Sequence, residues 1–168
     1  MPQHNRPPAA LSIKNILDSA RSSLVRLTPA QLSTELNYQD TNAWGPTILI
    51  DIRPTAQRTS YALSRSSCSR DESSADTTNS SSSHLETIPG AMIIERNVLE
   101  WRIDPQSDAM DPEIANVVEK HGYDTRIVIF CQEGYTSSLA AYEAQRLGLR
   151  NATDLEGGYK AWCEASVV

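Results

Sequence analysis

Apolar positions along the chain follow two different periods. Leu11, Ile13, Ile16, Leu17, Ala20 and Leu24 share one helical face. Thr28-Pro29-Ala30-Gln31-Leu32 then opens a second helix, with a hydroxyl cap and proline in its first turn. Asn37-Tyr38-Gln39-Asp40 ends it. Pro112 to Lys120 turns Ile114, Val117 and Val118 inward, and Ser137 to Leu147 is a further helix rich in Ala and Leu. Between these lie short continuous runs. Thr47-Ile48-Leu49-Ile50-Asp51-Ile52 and Arg126-Ile127-Val128-Ile129-Phe130 have the pattern of strands buried on both faces. Ala91-Met92-Ile93-Ile94 is a weaker strand, and Ala152 to Leu155 a last short one before a helix around Trp162. Strands alternating with helices predict an α/β fold: a doubly wound, mainly parallel sheet of about five strands with helices on both faces.

Two segments depart from this pattern. Residues 1–10 hold three prolines and predict a loose arm, followed by the first helix up to residue 26. From Ser60 to His84, 11 of 25 residues are serine. Such a stretch buries too little apolar surface to offset its ordering entropy, so it predicts a disordered insert. Loop closure grows slowly in cost with length, so the insert fits inside one domain spanning 27–165.

Composition narrows the chemistry. The formal charge is -6 and no basic stripe stands out, which argues against a nucleic-acid binder. Three cysteines, Cys68, Cys131 and Cys163, are too few and scattered for a disulfide framework. They form no CxxC pair, and His4, His84 and His121 lack ligand spacing, so no structural zinc site is expected. A reducing compartment, the cytosol first, fits these thiols. No run is apolar over the roughly 20 residues that span a bilayer. Arg6, Lys14, Arg21 and Arg26 against Asp18 leave an organelle-targeting reading of the N-terminal segment open.

The informative stretch is Ile127-Val128-Ile129-Phe130-Cys131-Gln132-Glu133-Gly134-Tyr135-Thr136-Ser137-Ser138. A buried strand ends in a cysteine, a glycine-containing loop follows, and hydroxyl residues open a helix. Sites in open α/β sheets form beyond the carboxyl ends of the strands. Loop N–H groups and a helix N-terminus directed at one spot favour an anion, here a thiolate or a persulfide. Gly134 permits a positive φ, while Thr136, Ser137 and Ser138 add hydroxyl donors. From placement alone, a nucleophile and a small buried hydrophobe both remain open for Cys131.

Four motifs in order decide between them. Leu49-Ile50-Asp51-Ile52-Arg53, Ile88-Pro89-Gly90-Ala91, Cys131 to Ser138, and Leu155-Glu156-Gly157-Gly158-Tyr159-Lys160-Ala161-Trp162 resemble the successive motifs of a single rhodanese (sulfurtransferase) domain. The resemblance runs from about Leu27 to Ala165, interrupted by the serine-rich insert. It implies that Cys131 attacks the outer sulfur of a donor, becomes a persulfide and passes the sulfur to a thiol or other nucleophile. Gln132, Glu133, Gly134, Tyr135, Thr136 and Ser137 would form the substrate loop. Asp51 and Arg53 match the first motif by type, either as site residues or as a pair holding the strand end. No metal or organic cofactor is implied. The expected partners are a small-molecule or protein sulfur donor and a thiol acceptor, with no nucleic acid or membrane, and the protein is expected to act as a monomer.

Departures refine this. Relatives usually carry histidine just before Ile-Pro-Gly-Ala, where this chain has Glu86-Thr87. Gln132 and Glu133 stand where thiosulfate-using relatives tend to be basic, which predicts that thiosulfate is a poor donor. A related phosphatase or arsenate reductase needs arginine six residues after the cysteine; here Ser137 stands there. A catalytically silent binding module is the other alternative, and retention of Cys131 argues against it. Arg96 is a candidate for positive charge near Cys131, or else an ordinary ion-pair partner. Trp44 and Trp101 read as core or rim aromatics, with Trp101 a candidate wall of the pocket. Cys163 reads as packing, and Cys68 as an exposed thiol in the insert or a second thiol that reaches the pocket.

Overall fold

The computed structural model describes residues 7–38, 45–59 and 87–165. Four parallel strands, β1 (Ile48–Asp51), β2 (Met92–Ile93), β3 (Ile127–Phe130) and β4 (Ala152–Asp154), form one sheet in the order β2-β1-β3-β4. β1 and β3 lie at the centre in register, Ile48 opposite Ile127 and Asp51 opposite Phe130. Every residue of both is buried, which explains why they are apolar throughout except at Asp51. The insert and Trp44 lie outside the described residues.

The two-residue period of these strands divides the core. Ile48, Ile50, Ile127 and Ile129 point into one cluster, roofed by Ala140, Ala141 and Ala144 of α5 (Thr136–Arg146). Leu99 and Ile103 of α3 (Leu99–Ile103) and Ile114 of α4 (Pro112–His121) complete that side. Leu49, Val128 and Phe130 point the other way, against Leu32 of α2 (Pro29–Asn37) and Tyr159 and Cys163 of α6 (Gly158–Ala165). Cys163 is therefore a packing residue, as its place in the sequence predicts. α1 (Ile13–Ser22) lies on the outer side of α5.

The expected count of about five strands is corrected to four among the described residues. Leu27 makes a single parallel bridge to Leu155 beyond β4, its N–H donating to Asp154 O and its carbonyl accepting from Glu156 N. Pairing stops there because Thr28 already caps α2 through a reciprocal box with Gln31, and Pro29 has no N–H to offer a ladder. The chain turns into a helix where a fifth strand would have grown.

Candidate active site

β3 delivers Cys131 to the carboxyl end of the sheet, half-buried, at the start of a loop that runs to Tyr135. That loop is clamped from beneath by the first turn of α6. Tyr159 N–H donates to Cys131 O at 2.9 Å and Lys160 N–H to Gln132 O at 3.0 Å. Two donors left unpaired at a helix start are thereby satisfied. Because C=O and N–H point oppositely across a trans peptide, the same contacts turn the N–H groups of Gln132 and Glu133 away from α6. No acceptor among the described residues bonds the N–H of Gln132, Glu133, Gly134 or Tyr135. The loop thus offers donors to an anion, with Cys131 at its origin.

Close approach of α6 depends on glycine at two positions. Gly134 has φ +74° and faces the Gly157-Gly158 backbone, where a β-carbon would lie 2.9 Å from Gly157 N. Gly158 has φ +61°, and a β-carbon there would lie 2.4 Å from Cys131 O. The active-site motif and the C-terminal motif are therefore two halves of one packing contact.

Ser137 is fully buried with Oγ 3.4 Å from Cys131 Sγ. Behind it stands Asp154, at the end of β4 and fully buried, whose Oδ2 lies 3.3 Å from Ser137 Oγ and 2.8 Å from Ser138 Oγ. Arg26 grips this carboxylate with two donors, Nε to Oδ1 at 2.8 Å and Nη2 to Oδ2 at 3.0 Å. Burial alone would lower the Arg26 pKa. The hydrogen bonds and charge of Asp154, with smaller contributions from Glu156 and Cys131, outweigh it and raise that pKa above its ordinary value. From α1, Arg21 Nη2 donates to Gly134 O at 2.8 Å and Nε to Ser138 Oγ at 3.2 Å, with the guanidinium 5.4 Å from the Tyr135 ring centre.

Asp51 and Arg53 form a fully buried pair, Nη2 to Oδ2 at 2.7 Å and Nε to Oδ1 at 3.0 Å. Arg53 also reaches the loop, donating from Nη1 to Gln132 Oε1 at 3.2 Å, and stacks 3.8 Å over the Tyr159 ring. Thr87, just before the Ile-Pro-Gly-Ala motif, donates to Asp51 Oδ2 at 2.8 Å. Asp51 and Arg53 are thus joined to the loop as well as to each other.

The remaining predicted residues spread out. Glu133, Tyr135 and Thr136 are exposed. Glu133 lies 3.8 Å from Lys160. Of the three hydroxyl residues, Ser137 approaches the sulfur, Ser138 turns to Asp154 and Gly134 O, and Thr136 faces outward. Arg96, in the turn before α3, pairs with Glu100 in its first turn. Trp101 is 62% exposed and borders a surface groove with Glu100, Asp104, Ser107 and Leu147, so it walls that groove and not the loop. Arg21 and Arg26, which the sequence suggests only as part of a basic N-terminal segment, and Asp154, which it places only in a strand, belong to the site. Their signal was a carboxylate inside an otherwise buried strand, which must find a cation, and two arginines just upstream of the domain.

This combination defines a class: an open parallel α/β domain with a cysteine cradled at the carboxyl end of a central strand. The chain belongs to the rhodanese-like family, whose domain, described as "Rhodanese-like domain", matches residues 28–165. A Rhodopseudomonas palustris protein of unknown function, described as a possible tyrosine phosphatase, is 28% identical, with TM-score 0.65 over 99% of this chain and 96% of that one. A human single-domain sulfurtransferase is 21% identical, with TM-score 0.51 over 83% of this chain and 95% of that one, a likeness of fold.

Proposed function

We propose that the protein is a sulfurtransferase that carries sulfane sulfur on Cys131. The observation that supports this best is the seating of Cys131 Sγ beside the Ser137 hydroxyl, on a loop whose N–H groups face away from α6. The thiolate attacks the outer sulfur of the donor. A new S–S bond forms, the donor's own bond to that sulfur breaks, and its electron pair leaves with sulfite from thiosulfate or with a thiolate from a persulfide. A nucleophilic acceptor, a thiol above all, then attacks the outer sulfur and the Cys131 thiolate is restored. The negative persulfide is held by loop donors rather than by a metal.

Exposed Glu133 at the loop favours a persulfide donor, small or protein-borne, over doubly negative thiosulfate. Of the nearby cations, Arg26 and Arg53 each hold a buried carboxylate, while Arg21 is committed to the Gly134 carbonyl and the Ser138 hydroxyl. Ester hydrolysis of the phosphatase kind is less well supported. Ser137, buried and bonded to the sulfur, occupies the place six residues after Cys131 where an oxyanion-gripping arginine would stand.

Intact mass after incubation with each donor tests the proposal. A gain of about 32 Da on the wild type and none on Cys131→Ser is expected for one covalently held sulfur. Transfer from a persulfide is expected to be faster than from thiosulfate. No adduct with either donor would overturn the sulfurtransferase reading in favour of a silent binding module, and turnover of an aryl phosphate in its place would favour the phosphatase.

A further inference from the structure

We propose that Arg26 and Asp154 are a positioning pair that sets the charge felt at Cys131 through the Ser137 hydroxyl, with Arg26 reaching in from just outside the family-matched residues. The inference rests on Cys131 being the working sulfur. Three contacts run in series: Arg26 to Asp154 with two donors at 2.8 and 3.0 Å, Asp154 to Ser137 Oγ at 3.3 Å, and Ser137 Oγ to Cys131 Sγ at 3.4 Å. Arg26 precedes residue 28, where the family match begins, and Asp154 closes β4.

The chemistry follows from one hydrogen and two acceptors. A serine hydroxyl donates once. With Cys131 as a thiol, its S–H donates to Ser137 Oγ and the Ser137 hydroxyl donates to Asp154. With Cys131 as a thiolate or persulfide, the hydroxyl is free to turn to sulfur, because Asp154 keeps Arg26 and Ser138 as donors. The carboxylate therefore holds the hydroxyl in place without losing all its partners when the hydroxyl leaves. Arg26 matters equally for charge. A bare carboxylate buried one serine away would oppose a second anion at the sulfur, and the guanidinium cancels it.

The other charges around the loop are already engaged. Just beyond β1, Arg53 is paired with Asp51; Glu133 on the loop lies near Lys160 of α6; Glu156 lies 3.9 Å from Arg26; and Arg21 of α1 donates to Gly134 O. Arg26–Asp154 is the pair joined to the sulfur by hydrogen bonds through a single side chain.

The test is the pH profile of Cys131 alkylation by iodoacetamide, read by peptide mass so that Cys68 and Cys163 do not interfere. Arg26→Gln leaves Asp154 uncompensated and is expected to move the midpoint up by on the order of one pH unit. Asp154→Asn leaves Arg26 facing only the more distant, half-exposed Glu156, 3.9 Å away, and is expected to move it down by a similar amount. The double variant and Arg26→Lys should lie close to the wild type. A brace that served only to hold the loop would slow alkylation in both single variants without moving their midpoints in opposite directions. Unmoved midpoints, or displacement in one shared direction, overturn the inference. Should Arg26→Gln not fold, the downward displacement in Asp154→Asn decides the matter alone. The readout needs no sulfur donor, so displaced midpoints without a persulfide adduct would sink the sulfurtransferase reading only, and an adduct without displacement would sink the pair only.

Discussion

Gly158 stands where the loop and the last helix come within touching distance, and a single methyl group tests that contact. In Gly158→Ala the added carbon meets the carbonyl oxygen of Cys131 in a backbone conformation that L residues rarely adopt. Neither partner is a flexible side-chain end, so the loop must move. We expect a loss of about 1–3 kcal/mol in urea denaturation, the usual range for overpacking, together with a larger proportional loss of Cys131 persulfide formation. Normal persulfide formation in a destabilised variant would show that the loop does not depend on this contact. Much of this scale was legible beforehand, because Cys131, its loop and the Gly-Gly pair are local motifs. Arg26 and Asp154 were not, since 128 positions separate them and nothing local to either names the other. Arg96 shows the converse: charge and motif proximity marked it, yet Glu100 four residues on is a nearer partner.

At the level of elements, α2 is fastened to the sheet by Glu35. Its carboxylate accepts from Arg126 Nε at 2.8 Å and Nη2 at 3.0 Å, and from Thr47 Oγ1 at 2.7 Å, so one side chain joins the approaches to β3 and β1. Burial pushes the Glu35 pKa up, but the bonds from Arg126 and Thr47 and the charge of Arg126 outweigh this, leaving it below its ordinary value of 4.5. A depressed folded-state pKa stabilises fully above the unfolded value and less as the pH falls through the folded one. Stability should therefore fall below about pH 4.5, and Glu35→Gln should flatten that fall while lowering stability at pH 7. Urea midpoints across pH 3–7 check this; equal slopes for both proteins would show that Glu35 does not carry the dependence. The capping box that starts α2 was readable as a string of residue types, whereas α3, with five residues, is too short to show a period.

At the scale of the molecule, one sheet carries an apolar cluster on each of its faces, and both clusters include residues of the same strands. Fold class and parallel pairing were legible because β1 and β3 are apolar almost throughout and sit at the centre. The number of strands was not, because whether Leu27 extends or turns depends on how soon the α2 cap begins. Sharing of strands predicts that the layers unfold together. Ile129→Ala on one face and Val128→Ala on the other should each shift a single transition, with a cost of about 2–5 kcal/mol for the isoleucine and less for the smaller valine. Coincident tryptophan-fluorescence and far-UV curves are the measurement, and two separated transitions would mean the layers are independent.

The grip of α6 on the Cys131 loop also has a meaning in time. A chain made from its N-terminus exposes Cys131 to solvent before Tyr159 and Lys160 exist to hold the carbonyls behind it. Throughout that interval the cysteine has no shaped cradle around it. On the proposed reading the cradle is complete only with the closing helix, so an interrupted nascent chain would carry the cysteine without its cradle.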